Sequence, residues 1–381
     1  MKRIESNITY LTVKHEARRF HATLVGSVVL FLLLCIIPCQ AAAQASFRFI
    51  SWADTKDSTS VLTSLSNQAL SLNPDFTIYS GDLCNSGFTQ SCMDVWKNAL
   101  NGGANNGMFD KTFSVRGNHD GSNTAGWQAY YNFSATAAAV GAIHYAELAE
   151  SLTYSFDFGN AHLIAVDVPG DVTAMTASQI SWIDSDLTAA ESRGLTHAFL
   201  FWHGPIYALA EHCCPTAPAT LITALNKHSI VSATFHGHEH VYAYTHIDSS
   251  RIPAVTHEFE EFVTGDAGAG PDTAQSGRYD YWMNSHGFAT VDVSGNTFTV
   301  NFYKQGTTNP QKTFTFTKAS PQEAPPAAPA RLRLNGPIRG TPYSIIDSGF
   351  FWVPASHTEI SSRANEYFSL IIQSRIMYDV P

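Results

Sequence analysis

Apolar and amphipathic stretches alternate along the chain, and the alternation predicts its elements. Residues Ser46–Ala53 (S-F-R-F-I-S-W-A) switch polarity every second position and read as a strand with Asp54 at its end. Val61, Leu62, Leu65, Ala69 and Leu72 follow at helical spacing, and the run stops before Pro74. Asp75–Ser80 is a short apolar strand that runs into Gly81-Asp82. A helix is predicted over Ser91–Leu100, then a Gly/Asn loop over Asn101–Gly107. Thr112–Arg116 is a further strand and ends in Gly117-Asn118-His119-Asp120. Three strands with helices between them, each closing on a polar residue, form the βαβ pattern of a buried sheet. Such a sheet places its site at the carboxyl ends of the strands.

The pattern weakens over 121–150, which is Ala-rich and aromatic at Trp127, Tyr130, Tyr131 and Phe133 and is read as irregular. That stretch either packs or covers the site. Leu152–Phe158, Gly159-Asn160 and Ala161–Asp167 predict a hairpin. Ser178–Arg193 is a helix with Ile180, Ile183 and Leu187 on one face and Gly194 as its stop. His197–Trp202 is an apolar strand ending at His203-Gly204-Pro205, Leu221–His228 is helical, and Ser232–Phe235 is a strand. Tyr281–Asp292 and Thr297–Lys304 alternate well, and the second half is expected to add a second sheet. Ser320–Ala330 is a Pro/Ala linker. The tail, 331–381, has no recognisable motif.

The amino terminus changes the picture of where the protein works. Lys2, Arg3, Lys14, Arg18 and Arg19 precede the apolar run Leu24–Ile37, and Ala43-Gln44-Ala45 is an A-x-A site. This is the layout of a signal peptide over 1–45, with Ser46 as the expected mature start and a periplasmic or extracellular destination. With the signal cleaved, no stable membrane anchor is expected. The formal net charge of the whole chain is −10. Removal of 1–45 leaves 17 Lys/Arg against 30 Asp/Glu, a balance of −13. Such a surface does not favour nucleic acid or anionic membranes. Any anionic substrate needs a local cationic centre. Four cysteines remain after cleavage. Cys84 and Cys92 are the plausible local disulfide, and Cys213-Cys214 form either a vicinal bridge or leave a free thiol.

Candidate chemistry gathers in Thr234–Tyr244 (T-F-H-G-H-E-H-V-Y-A-Y), with His236, His238 and His240 at every second position. Imidazole is a common ligand of divalent transition metals. A histidine cluster alone is a weak signal. It gains weight from the other strand ends: Asp54, Asp82 in G-D-L, Asn118, His119 and Asp120 in R-G-N-H-D, and His203 in F-W-H-G-P. Each has a bland reading as a cap or a turn. Their order, and the repeated strand-then-ligand context, give the set its meaning.

With these motifs the chain resembles the calcineurin-like metallophosphoesterase superfamily, and within it the purple acid phosphatase-like branch. The segments that carry the resemblance are D-T-K at 54–56, G-D-L at 81–83, G-N-H-D at 117–120, W-H-G-P-I-Y at 202–207 and G-H-E-H at 237–240, with the hairpin at 154–167. They span about 47–317, so the catalytic domain is set at 46–319. The resemblance implies an α/β fold, a four-layer α/β/β/α sandwich of two mixed sheets, with two divalent or trivalent ions (Fe, Zn or Mn) between them. Asp82 would bridge the ions. One ion would also take Asn118, His203 and His238, and the other Asp54 and His240. His119 would act beside the metals as a catalytic residue, oriented by Asp120. The implied activity is hydrolysis of a phosphate ester on a small molecule or polymer by a metal-activated hydroxide.

Two positions depart from the family pattern. Lys56 stands where most of the superfamily has a ligating His, and Asn85 where purple acid phosphatases have a ligating Tyr. Asn85 binds through its side chain or a water substitutes. Lys56 contacts phosphate or points to solvent. The first ion is therefore expected to be held more weakly. Arg116 either binds phosphate or pairs with a carboxylate, and Glu239 is expected to point away from the metals. The competing reading is a non-catalytic extracellular binding module on the same fold, with a degraded first metal site.

Overall fold

The computed structural model describes residues 46–318, apart from 57, 150, 213–216 and 274–276. The expected signal peptide, the Pro/Ala linker, the tail and the Cys213-Cys214 pair lie outside the described residues.

Two sheets face each other. The first runs through β1 (Phe47–Trp52), β2 (Phe76–Tyr79) and β3 (Thr112–Ser114), then on the other side of β1 through β12 (Gly287–Ser294), β13 (Thr297–Lys304) and β14 (Lys312–Thr317). β1, β2 and β3 are mutually parallel, with Phe49 opposite Phe76 and Tyr79 opposite Ser114, while β12 pairs antiparallel to β1. The second sheet contains β4 (Ile143–Glu147), β5 (Tyr154–Phe158), β6 (Ala161–Ala165), β7 (His197–Phe201), β8 (Val231–His236), β9 (Tyr242–Ile247), β10 (Phe259–Thr264) and β11 (Tyr281–Met283). Its order is β11-β9-β10-β8-β7-β6-β5-β4. β6, β7, β8 and β10 are parallel to their neighbours in that run. The two alternating segments expected to build a second sheet instead divide: Tyr281–Met283 joins the second sheet, and 287–304 extends the first. β12 does so because Ala289, Val291 and Val293, which share one face, are buried beside β1.

The parallel strands β2, β6, β7 and β8 are buried along their whole length, as sheets covered on both faces require. Between the sheets the core is aromatic. Phe49 stacks on Phe76 at 5.4 Å and meets Phe199, Phe201 and Phe235 at 5.6, 5.9 and 5.9 Å. Helices α1 (Thr59–Leu70) and α2 (Gln90–Leu100) carry buried Leu62, Leu65, Met93 and Trp96 into the core of the first sheet. On the outer face of the second sheet, Ile164 and Leu200 pack with Ile183 and Leu187 of α5 (Ala177–Ser192) and Leu221 and Leu225 of α6 (Ala219–Leu225). Helix, sheet, sheet and helix thus form four layers, the expected α/β/β/α sandwich. Thr176 and Gln179 close a capping box at the start of α5.

The stretch 121–150, read as irregular, is ordered. It holds α3 (Thr124–Tyr130), α4 (Phe133–Val140) and β4. Asn123 and Asn132 cap the two helices by accepting from the N–H groups of Gly126 and Ala135. Trp127, Tyr131 and Phe133 are buried, so this segment packs.

Candidate metal centre

The carboxyl ends of β1, β2, β3, β7 and β8 deliver the site. Asp54, Lys56, Asp82 and His238 all adopt left-handed backbone, at φ 59°, 42°, 56° and 70°. For residues with a Cβ this conformation costs roughly 1–2 kcal/mol each. Four such residues at one place mark a site whose surroundings impose the geometry. The loops approach closely. Gly81, at φ 95°, makes the turn before Asp82. A Cβ on Gly117 would lie 2.1 Å from Asp82 Oδ1 and 2.7 Å from His203 Cε1.

The backbone fixes which atoms of each ligand face inward. His203 Nδ1 lies 2.8 Å from the carbonyl of Ser80, so Nδ1 carries the proton and Nε2 is an acceptor. His240 Nδ1 faces the carbonyl of Gly270 at 2.9 Å, which leaves Nε2 as its acceptor. The N–H of His119 donates to Asp82 Oδ1 (2.8 Å), and the N–H of His238 donates to Asp54 Oδ2 (2.9 Å). The other oxygens, Asp54 Oδ1 and Asp82 Oδ2, are buried without a hydrogen bond. Oxygens of Asp54 and Asp82 and a ring nitrogen of His203 lie within 4.8 Å of one another. Asn118 Oδ1 is 3.0 Å from both His203 Nε2 and His238 Nδ1. For His203 that is acceptor against acceptor. It matches two ligands sharing one ion at about 2.1 Å each.

The electrostatics agree. Burial pushes Asp54 well above the usual carboxylate range, and the Asp82 charge adds to it. Burial alone would raise Asp82 as well, but His203, the N–H of His119 and Lys56 bring it below its ordinary value. Burial lowers His203 and takes His238 down to about 2. Both rings are therefore neutral, the form in which imidazole binds a metal. On the Asp82–Asn118–His203–His238 side the residues fit a divalent ion. On the side of Asp54 and His240 a cation of the chain is already present: Lys56 Nζ lies 2.8 Å from His240 Nε2 and 3.5 Å from Asp82 Oδ2.

All eight expected site residues meet at this place, but the part given to Asp120 changes. Asp120 does not orient His119. Its Oδ1 accepts from the N–H of Leu83 (2.9 Å) and Cys84 (3.0 Å), and its Oδ2 from Asp82 and Gly117 (both 2.8 Å). It is a clamp that ties the two ligand loops together. Burial, with Asp82 nearby, pushes its carboxyl up to about 7 against those donors. The ring of His119 is held instead by the carbonyl of Asn85, 2.9 Å from Nδ1. Lys56 points inward, with a side chain only 14% exposed. Arg116 makes a two-point ion pair with Asp167 (2.9 and 2.6 Å), which settles it as structural. His236 is buried with Nδ1 near the carbonyl of Trp202 (3.1 Å) and supplies no ligand to the cluster. Glu239 turns away, accepting from the N–H of Ala210 at 2.7 Å.

Three supporting residues carried no sequence signal. Asp272 accepts from the backbone N–H of His240 (2.7 Å). Glu261 of β10 accepts from the N–H groups of Ile206, Tyr207 and Ala208 and so holds the loop after His203. The ring of His212 lies against that of His238, with centroids 4.3 Å apart and the planes tilted by 37°. Each is distant in sequence from its partner and follows no fixed spacing.

Buried carboxylates and neutral imidazoles at the strand ends of a four-layer sandwich define the class: an α/β/β/α protein with a candidate metal centre between its sheets. A family model for calcineurin-like phosphoesterases matches residues 48–242, and the chain belongs to that family. Among solved structures, the chain is similar to the purple acid phosphatase PPD1 from seeds of yellow lupin (Lupinus luteus), at 17% identity and a TM-score of 0.56. That match covers 72% of this chain and 54% of the lupin protein, so the chain spans about half its length. It is also similar to a dimetal phosphatase from Danio rerio, at 15% identity and a TM-score of 0.50, over 72% of this chain and 99% of that one. At these identities the likeness is one of fold. A search of curated proteins gave no match.

Proposed function

We propose that the protein is an exported, metal-dependent phosphohydrolase that cleaves phosphate esters. The observation that carries this reading is the convergence of Asp82, Asn118, His203 and His238: Asn118 Oδ1 lies 3.0 Å from both His203 Nε2 and His238 Nδ1, and Asp82 Oδ2 is buried without a hydrogen bond. A bound divalent ion supplies Lewis acidity there, lowering the pKa of water and taking up charge from phosphoryl oxygens. The chain supplies the rest. Ser80 and Asp120 fix the ligand loops, so little reorganisation accompanies reaction. His119 is half-buried beside Asp82, its Nδ1 engaged by the Asn85 carbonyl, so its Nε2 is the atom that exchanges a proton. In the reaction a water gives up a proton to solvent as its oxygen bonds to phosphorus, the P–O bond to the alcohol breaks, and His119 passes a proton to the leaving alkoxide and regains one from solvent. Purple acid phosphatases and dimetal phosphatases of the same fold support the substrate class.

Export is supported by the signal-like stretch 1–45 and by the Cys84–Cys92 disulfide, a bond at home in an oxidising compartment. The predicted mature protein begins at Ser46, which the mass of the secreted chain tests. Among the described residues no helix is long and apolar enough to cross a membrane. We assign the catalytic domain to 46–319, followed by a linker over 320–330 and a tail of separate character.

The test is hydrolysis of p-nitrophenyl phosphate and bis-p-nitrophenyl phosphate by the full chain with Mn²⁺, Zn²⁺ or Fe. Metal-dependent turnover that falls with Asn118→Ala supports the reading. Inactivity with every metal, in protein shown to be folded, refutes it in favour of the non-catalytic binding module.

A further inference from the structure

The two halves of the centre differ in what their ligand atoms already face. On the His203 side, Asn118 Oδ1 stands 3.0 Å from His203 Nε2, acceptor against acceptor, an arrangement that a shared cation stabilises. On the His240 side the facing group is Lys56. Its Nζ is 2.8 Å from His240 Nε2 and 3.5 Å from Asp82 Oδ2. His240 Nδ1 is committed to the Gly270 carbonyl, so its Nε2 accepts an N–H of the ammonium. Asp54 Oδ1 completes this half, 3.6 Å from His240 Nε2. These are the acceptors that a second ion would need.

Lys56 is not a surface lysine that happens to lean inward. Its own N–H donates to the carbonyl of Asp82 (3.2 Å), as does that of Thr55 (3.0 Å), so the turn is tied to the bridging ligand. Its backbone is left-handed at φ 42°, a cost the fold bears at few non-glycine positions. An ammonium is a compact charge with three donors and no acceptor, and here it faces His240 Nε2 and Asp82 Oδ2. With Nζ 2.8 Å from His240 Nε2, it occupies the place from which a second ion would bind that nitrogen.

We infer that Lys56 replaces one of the family's two ions. The chain then holds a single divalent ion on Asp82, Asn118, His203 and His238, beside a built-in ammonium at His240 Nε2 and Asp82 Oδ2. The inference rests on reading the cluster as a phosphoesterase centre, yet it concerns how many ions that centre takes. Lys56 supplies one unit of positive charge and a hydrogen-bond donor in place of a second Lewis acid. A phosphoryl oxygen entering the site would meet one ion and one ammonium.

The full chain is stripped with chelator, loaded with excess Mn²⁺, passed through a desalting column, and its metal counted by mass spectrometry. The expected content is about one ion per chain for the native protein, and about two for Lys56→His, which restores an imidazole where two-metal sites bind. Electron paramagnetic resonance gives a second readout: an isolated Mn²⁺ spectrum for the native chain, and an exchange-coupled pair for Lys56→His. Two ions, a coupled spectrum, or no retained ion in the folded native chain overturns the inference. Should Lys56→His not fold, the native count and spectrum still decide it. The outcomes also separate the two claims. One ion without hydrolysis refutes the phosphoesterase reading and leaves this one standing. Two ions with hydrolysis does the reverse.

Discussion

Gly117→Ala adds one methyl group where the two ligand loops touch. The new Cβ would stand 2.1 Å from Asp82 Oδ1, 2.5 Å from Asp82 N and 2.7 Å from His203 Cε1. None of these is the free end of a flexible side chain. The Asp82 N–H is held by Asp120, and the His203 ring by the Ser80 carbonyl. Relief to an ordinary contact of about 3.4 Å requires Asp82 or the 117–120 loop to move by more than ~1 Å. Overpacking of this kind costs about 1–3 kcal/mol. A 1 Å displacement of a positioned group costs on the order of 100-fold in rate. We therefore expect urea unfolding to show a loss of about 1–3 kcal/mol, with turnover down ~100-fold and retained metal reduced. Gly87→Ala is the control. Its Cβ would meet nothing within 4 Å, so only the φ of 88° opposes it, and the expected loss is about 1 kcal/mol without change in metal content. Native stability and metal content in Gly117→Ala would refute the close approach of the two loops.

Three further predictions follow from other parts of the structure. His119→Ala should leave metal content unchanged while lowering kcat by roughly 10²–10⁴-fold, the range of general acid catalysis; equal loss of metal would show that His119 is a ligand. His197 is buried, with Nδ1 at Ser232 Oγ and Nε2 at the Gly295 carbonyl, and burial, with Lys318 adding, lowers it to about 4. The unfolded chain binds that proton first, near pH 6.5, so its contribution is present above 6.5 and is lost as pH falls toward 4. About 2 kcal/mol should go between pH 7 and 5, and His197→Gln should lose correspondingly less in urea titrations at the two pH values. Cys84→Ser opens the Cys84–Cys92 bridge, a separation of 8 residues; the expected cost is about 2–3 kcal/mol, and unchanged unfolding would count against the bridge.

Much of the fold was legible because the chain follows local rules at its ends and edges. The strands β1, β2, β3 and β7 each run into a residue of the cluster, and the hairpin of β5 and β6 turns at Gly159-Asn160 as its sequence suggests. The stretch 121–150 was not legible, since its helices are short and depend on Asn123 and Asn132 as caps and on burial of Trp127 and Phe133. The pairing of β12 with β1 was hidden as well, because about 240 residues separate them and no spacing rule spans that distance. At the site, the residues that converge could be read from motif and order. The direction of Lys56 could not, because it depends on a left-handed turn tied to Asp82. Nor could the role of Asp120, whose four partners are backbone N–H groups made available only by the loop's fold.

The most direct measurement of the account is a metal titration of the chelated full chain, with hydrolysis of bis-p-nitrophenyl phosphate and p-nitrophenyl phosphate recorded at each addition of Mn²⁺. No turnover is expected without metal, and the rise should reach its plateau at about one equivalent. Turnover that persists in the metal-free chain, or its absence at every addition in folded protein, would contradict it.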